Sequence, residues 1–189
     1  MRTEWIVAAL LIAVVAYAIA IYNRLVRQRN VVREGWSGID VQLKRRTDLI
    51  PNLVETVKAY AAHERGVLED VTAKRASSIA ADDVRRQGEA ERALQGSLVR
   101  LLALAEAYPD LKANKNFLEL QQELTEIEDQ LQMARRYYNG AVRNLNISIQ
   151  SFPDNLIAGP LGFRPEPFFE LDDRSAAAAP AVAFSGSRP

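Results

Sequence analysis

Apolar residues along this chain fall into two regimes. From Trp5 to Tyr22 they run for eighteen positions without a charge, and from Leu25 onward they recur every third or fourth position among polar neighbours. As an α-helix the first run is about 27 Å long, close to the roughly 30 Å hydrocarbon core of a bilayer, so residues 1–23 read as one transmembrane anchor. In the second regime a stripe passes through Leu25, Val32, Trp36, Ile39, Leu43, Ile50, Leu53, Val57, Tyr60, Val67 and Val71, with Arg29, Arg46 and Glu64 as polar exceptions. A second stripe holds Leu94, Leu98, Leu101 and Ala105. A third runs from Phe117 through Leu120, Leu124, Ile127, Leu131, Ala134, Tyr138, Ala141 and Leu145 to Phe152. Spacing of this kind puts apolar side chains on one helical face. The prediction is an all-α protein: an N-terminal transmembrane helix followed by an up-and-down, four-helix bundle over residues 24–152.

The breaks between stripes set the helix boundaries. Residues 77–83 are small and polar, with Asp82 or Asp83 able to cap the next helix, and Tyr108-Pro109-Asp110 stops that helix before the third stripe. Pro51 pulls two ways. Its missing N–H and its clash with the Thr47 carbonyl cost about 3 kcal/mol in a helix interior, whereas Asp48 can cap a new helix that holds Pro51 in its first turn. The unbroken phase across Pro51 favours one kinked helix. Compactness favours a bend, because a single rod from Arg24 to Ser77 would be about 80 Å long. A bend near Asp48 gives segments 24–47, 51–77, 83–107 and 113–151, with the last running back toward the membrane.

Charge orients the anchor. The amino-terminal flank offers Arg2 against Glu4, while the far flank carries Arg24, Arg27, Arg29 and Arg33. Positive-inside bias puts the body in the cytoplasm, with the amino terminus outside. The Ala18-Ile19-Ala20 pattern is compatible with signal cleavage, but the apolar run is long for a signal peptide and joins directly to arginines. Arg24, Arg27 and Arg29 fall where anionic lipid headgroups would lie. The 24 basic and 24 acidic residues cancel, which argues against a nucleic-acid partner. They are unevenly placed: residues 24–46 carry seven basic and two acidic side chains, residues 106–130 seven acidic and two basic. Elements so charged pair side by side, with Lys44, Arg45 and Arg46 near the acidic start of the last helix.

Reaction chemistry is sparse. The chain has no cysteine and one histidine, His63, preceded three positions back by Tyr60 rather than a carboxylate, so no metal or cofactor site is predicted. The informative polar groups sit on the apolar stripe. Arg46 and Glu64 must be rim charges with stems over the core, a buried pair, or a binding notch. Arg45, Arg46, Asp48, Asn52 and Glu64 form the candidate recognition cluster, against the plainer reading that Asp48 is a helix cap and Arg46 with Glu64 an internal pair. Two functions follow: an interaction or scaffold module that binds a protein or another copy of itself, or a ligand sensor or enzyme with a pocket near Arg46 and Glu64.

Carboxyl-terminal to the bundle, residues 153–173 are rich in Pro, Gly and aromatics, too apolar for a free linker. They read as an irregular strap packed on the bundle or on a partner. Residues 174–189, mostly Ala, Pro and Ser, read as a disordered tail. Specific strings stand out in the body: Tyr22-Asn23, Val41-Gln42-Leu43, Arg45-Arg46, Asp48-Leu49-Ile50-Pro51-Asn52-Leu53-Val54, His63-Glu64, Leu111-Lys112-Ala113-Asn114, Tyr138-Asn139 and Phe152-Pro153. With these the chain resembles the LemA family of single-span bacterial membrane proteins. The resemblance implies a helical bundle, an outside amino terminus and a cytoplasmic body, and it brings no catalytic residues to carry over.

Overall fold

Both apolar regimes lie on one helix. The computed structural model describes residues 2–170, and its α1 runs unbroken from Arg2 to Lys58, 57 residues. The part before residue 20 stands clear of the rest: only 6% of its apolar window is buried, and it is the one helix among the described residues long and apolar enough to cross a membrane. From Ile21 onward α1 turns a buried stripe toward the bundle. The tail expected over 174–189, and residues 171–173 of the strap, lie outside the described residues.

The bend expected near Asp48 is not there. Helix α1 passes through Pro51 and stops at Lys58, and Asp48 is an exposed mid-helix residue rather than a cap. Pro51 has no N–H for the Thr47 carbonyl. That carbonyl instead accepts a hydrogen bond at 2.6 Å from Arg75 Nε, a donor on the neighbouring helix. Pro51 itself faces solvent. Compactness did require a turn, and the chain makes it at residues 59–64. There Ala61 is buried and the Tyr60 hydroxyl accepts from Asn114 Nδ2 at 2.9 Å.

Helix α2 (Arg65–Ile79) returns toward the membrane end, α3 (Val84–Glu106) runs out again, and the single turn α4 (Pro109–Lys112) leads into α5 (Lys115–Gln150). Asp83 caps α3 by accepting from the Arg85 and Arg86 N–H groups; those hydrogen bonds favour its ionised form and hold its pKa below the ordinary carboxylate value. Asn114 caps α5 by accepting from Phe117 N–H. At 36 residues α5 is about 54 Å long, matching the roughly 52 Å of α1 from Arg24 to Lys58. The two pack antiparallel along that length. Gly35 allows close approach midway: a Cβ there would sit 3.0 Å from Tyr138 Cα and 3.2 Å from the Tyr137 ring.

Two apolar clusters fill the bundle. The distal one joins Leu49, Ile50, Leu53 and Val57 of α1 to Leu68 and Val71 of α2, Leu94, Leu98 and Leu101 of α3, and Phe117, Leu124 and Ile127 of α5. The proximal one joins Leu25, Val32, Ile39 and Leu43 of α1 to Leu131, Tyr138, Val142 and Leu145 of α5, and is completed by Ala158 of α6 (Asn155–Ala158) and by Phe163 and Phe169.

Candidate functional site

Arg46 lies at the boundary between the two clusters. Its position on the α1 stripe turns it inward, and its side chain is 2% exposed. Arg46 Nη1 lies 3.3 Å from Glu91 Oε2 on α3 and 3.5 Å from Glu128 Oε2 on α5. Glu91 is fully buried; it accepts from Ser78 Oγ–H at the end of α2 and from Gln87 Nε2 at 3.1 Å. Gln87 Nε2 also reaches the Ser78 carbonyl oxygen at 3.3 Å. Four long helices thus contribute to one polar centre.

Its electrostatics are unevenly balanced. Burial pushes the Glu91 carboxyl above its ordinary pKa, while the Ser78 hydroxyl, Arg46 and Gln87 pull it down and Glu128 pushes it up. Removal from water therefore outweighs the single guanidinium shared with a second carboxylate. Arg46 Nε is buried with no hydrogen-bond partner among the described residues. An arrangement of this type specifies which helices meet and in what register. Its one hydroxyl, Ser78 Oγ–H, does donate to the Glu91 carboxylate, but both groups are buried, and among the described residues no three His, Cys, Asp or Glu side chains are grouped to hold a metal.

The predicted Arg46–Glu64 relation is corrected by this geometry. Glu64 precedes α2 at the distal turn, about 18 Å farther along the bundle axis, and Arg46 is engaged by Glu91 and Glu128 instead. The other three cluster residues share a different face. Arg45, Asp48 and Asn52 recur at helical spacing, all exposed, on the outside of α1, and Arg45 Nη1 donates to Gln42 Oε1 at 3.2 Å. The five residues therefore divide into one inward arginine, one outward stripe of three, and a half-buried Glu64 at the tip.

The model for the LemA family matches residues 35–184. This chain belongs to the LemA family. Among curated relatives it is 25% identical to Magnetosome protein MamQ 2 of Paramagnetospirillum magneticum over 185 aligned positions, covering 84% of this chain and 68% of the relative. It is 24% identical to Magnetosome protein MamQ of Magnetospirillum gryphiswaldense over the same shares. Protein LemA of Metamycoplasma hominis is 30% identical over 138 positions, covering 72% of this chain and 63% of that protein. The chain is a membrane-associated helical protein, and a single-pass topology is consistent with its family and with the one apolar helix end.

In this LemA-family protein two asparagines that the periodicity did not single out hold the segment after α6. Asn146 donates to the Glu166 carbonyl at 2.9 Å and accepts from Glu166 N–H at 2.8 Å. Asn139, two turns back on α5, does the same to Phe169 at 3.0 and 2.9 Å. Between them the Tyr138 hydroxyl donates to the Pro167 carbonyl at 2.9 Å, and burial raises its pKa to about 12. The segment has no helix or sheet to satisfy its backbone, so side-chain amides supply the partners. The membrane-side arginines are also engaged in part: Arg24 pairs with Asp154, Arg29 lies 4.9 Å from the Phe163 ring centroid, and Arg27 is exposed.

Proposed function

We propose that the protein is a membrane-tethered interaction module: residues 1–23 anchor it with the amino terminus outside, and residues 24–152 form a cytoplasmic bundle that presents a recognition surface to a protein or to another copy of itself. The observation that carries this reading is the outward stripe of Arg45, Asp48 and Asn52 on α1. These side chains contribute nothing to either apolar cluster. They sit on a helix held rigidly from inside by Arg46 and its carboxylates, and a fixed polar face costs little ordering entropy on binding. Positive-inside bias supports the orientation, with Arg24, Arg27 and Arg29 at headgroup level.

The test measures partner recovery and thermal unfolding on the same proteins. Full-length chain carrying a photo-crosslinking residue on the stripe is irradiated in native membranes, and the crosslinked product is followed in Arg45→Ala, Asn52→Ala and Glu64→Ala variants. Loss of the product in Arg45→Ala and Asn52→Ala with unchanged melting supports recognition. A product that persists in all three, or losses that track unfolding, overturns the assignment.

A further inference from the structure

The segment that follows α5 ends up beside the last turn of the apolar run. Arg24 pairs with Asp154, Gln28 Nε2 donates to Ser148 Oγ at 3.0 Å, and the Tyr22 and Phe163 rings meet edge to face at 5.9 Å. Ile21, inside the charge-free run, is only 3% exposed because it packs in the cluster that includes Ala158 and Phe163. Ala18, one turn earlier, is half-buried. Residues 152–163 therefore reach alongside α1 to the level where the apolar run gives way to Asn23 and Arg24.

At that level the segment shows three large apolar side chains to its surroundings. Phe152 is 79% exposed, Leu156 63% and Leu161 54%, while their neighbours Ala158 and Phe163 are buried. Elsewhere on the body exposed apolar residues such as Val41, Val99 and Leu118 lie on helices away from the apolar run, and exposed apolar residues scattered over a surface need no explanation. Three such side chains within residues 152–161, at the level where a membrane-spanning stretch ends, do need one.

We infer that Phe152, Leu156 and Leu161 insert into the leaflet from which α1 emerges, so that the protein meets the bilayer at two places: the span itself and an interfacial foot built by the α5–α6 turn. A bilayer that accepts Trp5 to Tyr22 puts its headgroup boundary near Tyr22 and Arg24, which is the depth of the foot. Apolar side chains in that zone are buried at the headgroup–acyl boundary. Basic residues border the zone, with Arg27 and Arg164 exposed beside the partly exposed Arg24, and they suit an anionic leaflet. The foot fixes the bundle's rotation and tilt relative to the membrane, which a single helix leaves free.

This inference rests on the membrane-spanning reading of α1, and the experiment separates the two. The chain has no cysteine, so single replacements label cleanly. Full-length Leu156→Cys, Phe152→Cys and Leu161→Cys proteins are tagged with an environment-sensitive fluorophore and reconstituted in vesicles of phosphatidylcholine and phosphatidylglycerol, with and without acyl-brominated lipid. Val14→Cys reports the span and Val99→Cys the water-exposed body. The expected result is blue-shifted emission and strong bromolipid quenching at the three foot positions and Val14, with neither at Val99. Foot probes that behave like Val99 while Val14 is quenched overturn the foot and leave the span; an unquenched Val14 overturns both. Foot probes that are blue-shifted but unquenched overturn it in favour of a covering second copy. Three separate positions keep the result independent of any one variant's folding.

Discussion

The distal and proximal halves of the bundle reach the same burial by different means. In the distal half α1, α2, α3 and α5 surround a core that is almost entirely aliphatic, with Leu53, Val57, Leu94, Leu98, Leu101 and Ile127 nearly inaccessible. In the proximal half α2 has ended, α3 contributes its first turns through Val84 and Gly88, and α1 and α5 run on as a pair. Two helices leave one flank of each apolar face open, and here rings close it: Trp36 packs against Tyr138 at 5.5 Å and against Phe169 at 5.6 Å between centroids. A segment with no regular structure covers the flank because large rings bury much area per residue and asparagine amides replace the missing backbone partners. Helices close a core by repeating a pattern. A strap closes it with a few specific contacts.

Breaking the polar boundary between the halves gives the largest expected effect. Arg46→Ala leaves Glu91 buried without its counter-charge and destabilises by about 3 to 5 kcal/mol, whereas Arg46→Met combined with Glu91→Leu is near neutral or stabilising; denaturant titration followed by helical signal reads both. Next comes Gly35→Ala in the two-helix half, where the added Cβ meets Tyr138 Cα at 3.0 Å. It costs about 1 to 3 kcal/mol, and the same change at exposed Gly38 does not. Arg75→Ala strands the Thr47 carbonyl and costs on the order of 1 to 2 kcal/mol. That cost shrinks in a Pro51→Ala background, where residue 51 again offers an N–H; equal costs in a double-mutant cycle would remove Arg75 as the reason the helix passes through Pro51.

Loosening the strap is smaller and local. Asn139→Ala and Asn146→Ala each cost about 0.5 to 1.5 kcal/mol. Amide exchange at Glu166 and Phe169 rises while that of Leu98 in the distal core stays put. If all three amides change together, the halves are one cooperative unit and the contrast fails. The smallest expected effect is a pH slope, which Glu91→Gln isolates. With its folded pKa raised, Glu91 holds a proton in the folded chain that it has lost in the unfolded one, so stability falls as pH rises from the ordinary carboxylate value through the raised one. The glutamine variant loses that slope, which denaturation midpoints across the acid range measure.

Local signals fixed the helical stripes, an aspartate cap at Asp82 or Asp83, the break at Pro109 and the inward aim of Arg46, because each depends on neighbours within a turn or two. The apolar run before Arg24 is of the same kind, since its length and lack of charge are local properties. Arg46's partner was half legible: the stripe of Leu94 and Leu98 extended back one turn lands on Glu91, a carboxylate on an apolar face. Which buried charge meets which was a matter of how the helices align. The turn at residues 59–64 left no mark, since Ala59-Tyr60-Ala61-Ala62 contains no Gly or Pro; it is held by burial of Ala61 and by Asn114 reaching Tyr60 across the bundle. Pro51 likewise announces a break that Arg75 cancels from another helix. Apolar residues after Phe152 could be read as packed, but not as divided between Phe163 and Phe169 inside and Phe152, Leu156 and Leu161 outside. Periodicity assigns a face only while the chain repeats. Where it stops repeating, each side chain goes wherever the finished bundle leaves room.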